Sequence, residues 1–198
     1  MKNRYQQQIF TPPKNLPLCL FVTLPLFLVP LPFCNTTMDY TIRPIAPQDN
    51  AAIAQVIRNV FIELAAPTTG TAYADPILDT LFEVYRATGS AYYVVETNGK
   101  VVGGAGIAPL EGGPDTVCEL QKMYFAPQAR GLGIGNALIQ KCLDTAAAFG
   151  YSQCYLETLT DMHAAQKLYI KSGFTYLDAP LGSTGHSSCP VWMIRELV

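Results

Sequence analysis

Residues 128–138 read QARGLGIGNAL. Glycines stand at 131, 133 and 135 behind Arg130, and an apolar run with helical spacing begins directly after them. Ahead of them, TVCELQKMYF (116–125) is rich in residues that favour a strand. A strand that feeds a helix through a glycine-rich loop fixes an α/β arrangement. It also leaves backbone N–H groups at the helix entrance without intrahelical partners. The helix dipole adds partial positive charge there, and glycine permits close approach of a ligand to the backbone. This combination suits a phosphate.

The spacing excludes two phosphate loops. A nucleoside-triphosphate loop needs G-x-x-x-x-G-K-[ST], and no lysine follows these glycines. The dinucleotide pattern G-x-G-x-x-G fails after Gly131 and Gly133 because Asn136 stands where the third glycine belongs. Its first glycine should also lie at the strand end, whereas Pro127, Gln128, Ala129 and Arg130 intervene here. What remains is R-x-x-G-x-G across Arg130–Gly135.

The rest of the chain from residue 38 supplies alternating elements. YTIRPI (40–45) reads as a strand, and apolar residues at 53, 56, 57, 60, 61 and 64 predict a helix that starts near Asp49 or Asn50. AAPTTGTAYADP is a loop, and PILDTLFEVYRA predicts a second helix. Asn98-Gly99 joins two β-rich runs as a hairpin. A helix follows the glycine loop and stops at Gly150, and SQCYLETL is a fifth strand. A last helix, capped at Asp161, ends at Gly173, and FTYLD and CPVWMIREL supply the final strands. The expectation is a mixed central sheet of about seven strands flanked by about four helices.

Residues 1–37 stand apart. LPLCLFVTLPLFLVPLPFC (16–34) is apolar and uncharged, and prolines at 17, 25, 30 and 32 make it a poor membrane helix. MKNR suits a secretory signal, but no A-x-A-like cleavage site follows. The leading expectation is translation from Met38; an anchor and a cleaved signal remain the alternatives. In each case the folded domain spans 38–198. With a formal net charge of −2, the chain lacks a nucleic-acid footprint. Its six cysteines form no C-x-x-C pair and it has two histidines, which argues against a metal cluster. Reduced buried thiols point to the cytoplasm.

CELQKMYFAPQARGLGIGNALI and, further on, AAQKLYIKSGF (164–174) resemble the paired signatures of the GNAT acyl-CoA-dependent N-acetyltransferases. The resemblance covers essentially all of 38–198 and implies the GNAT fold. It also implies acetyl-CoA as co-substrate, no metal and an amine acceptor. That acceptor is expected to be a small molecule or amino-acid-like, rather than a nucleic acid or a membrane. Protein lysine or N-terminal acetylation and a non-catalytic acyl-CoA sensor are the alternatives, and a homodimer is left open.

The resemblance assigns roles residue by residue. The pyrophosphate is expected on Arg130, Gly131, Leu132, Gly133, Ile134, Gly135 and Asn136. The pantetheine arm is expected along the backbone of Met123, Tyr124 and Phe125. Tyr169 is the expected acid for the departing thiolate, since a phenol keeps its proton to about pH 10. Glu119 is either the general base for the amine, directly or through water, or a salt-bridged or solvated strand residue. Many relatives carry asparagine where this chain has Met162, so that cofactor contact is in doubt. His163 reads as a helix-surface residue and His186 as a solvated loop histidine, with contact to the acceptor as the alternative.

Overall fold

The computed structural model describes residues 39–197. The apolar leader and the start expected at Met38 lie outside the described residues. The strands are β1 (Thr41–Pro44), β2 (Ala91–Thr97), β3 (Lys100–Pro109), β4 (Val117–Phe125), β5 (Gln153–Thr158), β6 (Thr175–Leu177) and β7 (Val191–Glu196). The helices are α1 (Asn50–Glu63), α2 (Leu81–Val84), α3 (Ile134–Ala148) and α4 (His163–Lys171). The seven strands form one sheet in the order β1-β2-β3-β4-β5-β7-β6. All neighbours are antiparallel except β4 and β5, which the α3 crossover makes parallel.

Two cores cover the two faces of the sheet. Ile134, Leu138, Ile139, Cys142, Leu143 and Ala146 recur at helical spacing and bury one side of α3, joined by Tyr169 of α4. Ile53, Ile57 and Phe61 of α1 pack with Leu78, Leu81 and Tyr85 in the other core. Asp49 joins β1 to the entrance of α1 by accepting two bonds from Arg43, at 2.6 and 2.9 Å.

The hairpin at Asn98-Gly99 and the seven strands follow the sequence expectation. The second helix does not. It breaks into a 3-10 turn, Leu78–Thr80, and the single α-turn of α2. The cause is Asn50, whose Oδ1 accepts the Phe82 N–H at 2.8 Å and so diverts a bond that a continuous helix needs. Helix α4 also starts without the expected cap. Met162 is its N-cap, no side chain caps it, and Asp161 contributes its carbonyl to His163 N–H instead. Among the described residues, no helix is long and apolar enough to cross a membrane.

Candidate active site

β4 lies between two neighbours that treat it differently. Along β3 it pairs out to Phe125, but along β5 the pairing runs only from Val117↔Gln153 to Glu119↔Tyr155. Beyond Glu119 the two parallel strands separate, and the β5-facing backbone edge of β4 has no strand partner. A bulge accompanies the split: Gln121 faces Gly106 and Tyr124 faces Gly104, so Lys122 and Met123 together oppose Ala105. Lys122 adopts φ +53°, a left-handed conformation that costs roughly 1–2 kcal/mol for a residue with a Cβ. Its ammonium is held by Asp75 at 2.6 Å, and its carbonyl accepts the Tyr92 hydroxyl at 3.0 Å.

A cavity of about 550 Å³ opens at this fork. Met123, Tyr124 and Phe125 line it from β4, and Arg130, Gly131, Gly133, Gly135 and Asn136 from the glycine loop and α3. Tyr169, Met162 and His163 reach it from α4 and its entrance. The structure therefore gathers most of the expected cofactor residues around one space. Leu132 and Ile134 do not line it. The Leu132 side chain is exposed and that of Ile134 is in the core, so only their main chains are placed to serve a ligand.

The glycines have separate reasons. Gly131 and Gly133 adopt φ +75° and +78°, and a Cβ built on either meets nothing within 4 Å. Open space lies there, as a phosphate cradle requires. A Cβ at Gly135 would instead come within 3.0 Å of Leu168 Cδ2, so this glycine lets α3 approach α4 closely. Among the described residues, no hydrogen bond occupies the backbone N–H groups of 131–135. Arg130 is less available than the sequence suggests. Its Nη1 and Nη2 donate to Glu63 at 2.7 and 2.8 Å, and its Nε donates to the Phe125 carbonyl at 2.9 Å.

Tyr169 is buried at the cavity wall, and burial pushes its phenol pKa well above the ordinary range. That direction keeps the phenol protonated at neutral pH. Glu119 does not line the cavity. It lies further back on β4, 2% exposed, where Gln121 Nε2 donates to its Oε2 at 2.6 Å. Burial pushes its pKa up to about 7, against the opposing effect of that hydrogen bond. His186 overturns its expectation as a solvated residue. Its side chain is 18% exposed, and Nδ1 stands 3.9 Å from Glu119 Oε1. Burial, and then the nearby Lys122 charge, lower its pKa and favour neutral imidazole. His163 is exposed, as expected.

Sequence reasoning missed the surroundings of Glu119. Tyr85 donates to Gln121 Oε1 at 2.7 Å, and Tyr155 and Thr184 donate to Glu157 at 2.7 and 2.8 Å. One signal was available. Glycines at 103, 104 and 106 inside a strand mark close approach or a neighbouring bulge, and they lie opposite this segment of β4.

The acetyltransferase (GNAT) family model matches residues 58–174, more than half of the chain. The chain belongs to the GNAT acetyltransferase family. It is thus an N-acetyltransferase by family, and the match spans the fork, the glycine loop and Tyr169. It is 48% identical over 156 residues to the Escherichia coli (strain K12) uncharacterized N-acetyltransferase YjgM, covering 78% of this chain and 93% of that one. Among solved structures, a GNAT-family acetyltransferase from Staphylococcus aureus Mu50 superposes with a TM-score of 0.73 at 20% identity, covering 81% of this chain and all of that one. The yncA protein of Salmonella typhimurium, solved with its cofactor acetyl-CoA, gives a TM-score of 0.65 at 22% identity over 80% of this chain and 94% of that one. At those identities the two structures bear on the fold.

Proposed function

We propose that this GNAT member transfers the acetyl group of acetyl-CoA to the primary amine of a small-molecule or amino-acid-like acceptor, by direct attack on the thioester. The observation that carries the proposal is the cavity at the β4–β5 fork, lined by the uncapped glycine loop and by Tyr169. The cradle fits the co-substrate: open space lies over Gly131 and Gly133, and the amides of 131–135 have no hydrogen bond among the described residues. Acetyl-CoA, when bound, supplies the acyl group as an activated thioester. The free amides from Gly131 to Gly135 would hold its pyrophosphate, with Asn136 N–H already bonded to the Gly133 carbonyl at 3.0 Å, and the unpaired edge at Met123–Phe125 would hold its pantetheine arm. Arg130 reaches the phosphate only by exchanging Glu63 for it.

An amine attacks only when it is neutral. Glu119, with its pKa near 7, is suited to take the proton of the acceptor ammonium, directly or through water. Tyr169 is suited to donate a proton to the departing thiolate. A backbone amide of β4 around Met123–Phe125 would polarise the thioester carbonyl. On this reading the enzyme is the domain from residue 38 onward, whatever the origin of the leader.

The segments 63–73 and 181–192, which in this fold would build the acceptor pocket, favour a small acceptor. Ser188 N–H donates to the Gly70 carbonyl at 3.1 Å, and Ser188 Oγ donates to the Thr69 carbonyl at 3.0 Å. These bonds tie Thr69 and Gly70 to Ser188, between segments that an extended peptide would need to hold apart. The test is acetylation of a panel of small amines and amino acids beside lysine-containing peptides, read by mass spectrometry. Small amines are expected to be acetylated with the higher kcat/KM. A peptide that outperforms all of them overturns the acceptor class.

A further inference from the structure

Gln121 lies between two buried partners. Tyr85, at the end of α2, donates its hydroxyl to Gln121 Oε1 at 2.7 Å, and Gln121 Nε2 donates to Glu119 Oε2 at 2.6 Å. The order of donors is forced once Glu119 is ionised, above about pH 7. A carboxylate only accepts, so the amide turns its NH2 to Glu119 and leaves its oxygen for the phenol. The chain is also sterically prepared. Gly106 is the β3 partner of Gln121, and a Cβ there would stand 2.6 Å from the Tyr85 ring. The missing side chain lets Tyr85 lie across β3 and reach the next strand.

Resting on the reading of Glu119 as the base, we propose that Gln121, locked in orientation by Tyr85, is the positioning residue of that base. It commits Oε2 of Glu119 to a fixed bond and leaves Oε1, on the His186 side, as the oxygen that takes the acceptor's proton. The other groups acting on Glu119 come from several elements. Lys122 lies on its own strand and favours the carboxylate; Glu157 of β5 and Glu111 of the turn after β3 disfavour it. Tyr155 of β5 is engaged with Glu157, and neutral His186 approaches from the loop before β7. The Gln121 bond therefore lowers a proton affinity that burial and two carboxylates raise, and it aims the group as well.

The experiment titrates the Glu119 carboxyl in the full chain by carbon-13 NMR, with the signal assigned by its loss in Glu119→Gln. The pH profile of kcat/KM is recorded in parallel. In Gln121→Met, which keeps the side chain's length and removes its amide, the Glu119 titration is expected to move up by about one pH unit, as for loss of a hydrogen bond to a charged group. Tyr85→Phe, which leaves the amide in place but unlocked, is expected to move it in the same direction by less. The acidic limb of kcat/KM follows both. A merely structural role lowers activity at every pH without moving either titration. A titration unmoved in folded Gln121→Met overturns the proposal, and if that variant fails to fold, an unmoved Tyr85→Phe does so. A carboxyl titration that moves while the kinetic limb stays fixed overturns instead the reading of Glu119 as the base.

Discussion

Replacing Glu119 by glutamine removes the charge and keeps the shape. The introduced amide still offers an oxygen to Gln121 Nε2, so the packing around β4 is preserved. Burial raises Glu119 from the ordinary 4.5 to about 7 in the folded protein. Between these values the native state binds more protons than the unfolded chain, so stability falls as pH rises through that window. Above it, the carboxylate charge is buried at a cost that the unfolded chain does not bear. At 1.36 kcal/mol per pH unit, the gap amounts to about 3 kcal/mol. The variant should match wild type near pH 4.5 and exceed it above pH 8 by about 3 kcal/mol. For a domain of this size that is roughly 6–12 °C in Tm. Groups such as Asp49, held low by Arg43, shift both proteins alike and cancel in the difference. Urea unfolding at a series of pH values measures it. Parallel stability curves from pH 4.5 to 8 refute the burial argument. A variant more stable yet slow, with its loss of kcat/KM shrinking at high pH where the amine deprotonates itself, is the outcome expected of a base.

Three further outcomes follow from the cavity. Tyr169→Phe keeps the ring in the core and removes its proton, so kcat should fall by ~10²-fold or more while acetyl-CoA affinity holds; full activity removes the acid role. Gly133→Val places a side chain in the open space of the cradle and strains a left-handed residue, so calorimetry should show at least about a tenfold loss of acetyl-CoA affinity in the folded variant. Unchanged affinity removes the loop from the phosphate site. Glu63→Gln releases the Arg130 guanidinium, so acetyl-CoA should bind a few-fold more tightly, and more so at low salt. Equal affinity in both proteins at all salt concentrations shows that Arg130 does not meet the phosphate.

The strands and the glycine loop were legible because local rules set them. Asn98-Gly99 dictates a hairpin, and the apolar spacing of α3 dictates its buried face. The failures arise where distant residues intervene. Asn50 cuts the second helix from thirty-odd positions upstream, which no local pattern shows. Glu63 occupies Arg130 across an even longer separation. His186 looked solvated because its neighbours are serines and glycines, but tertiary packing brings it beside Glu119. Cavity-lining positions were found because the loop and the LYIKSGF helix carry distinctive residues. The Tyr85–Gln121–Glu119 chain was not, since a single glutamine in a strand has no pattern of its own.

The most direct test of this account is a crystal structure of the protein with acetyl-CoA bound. The pyrophosphate should lie on the free backbone amides of Gly131–Gly135, and the pantetheine arm along the β4 edge at Met123–Phe125. The sulfur should then stand within hydrogen-bond reach of Tyr169 Oη. A thioester outside the β4–β5 fork, or a sulfur beyond the reach of Tyr169, would contradict it.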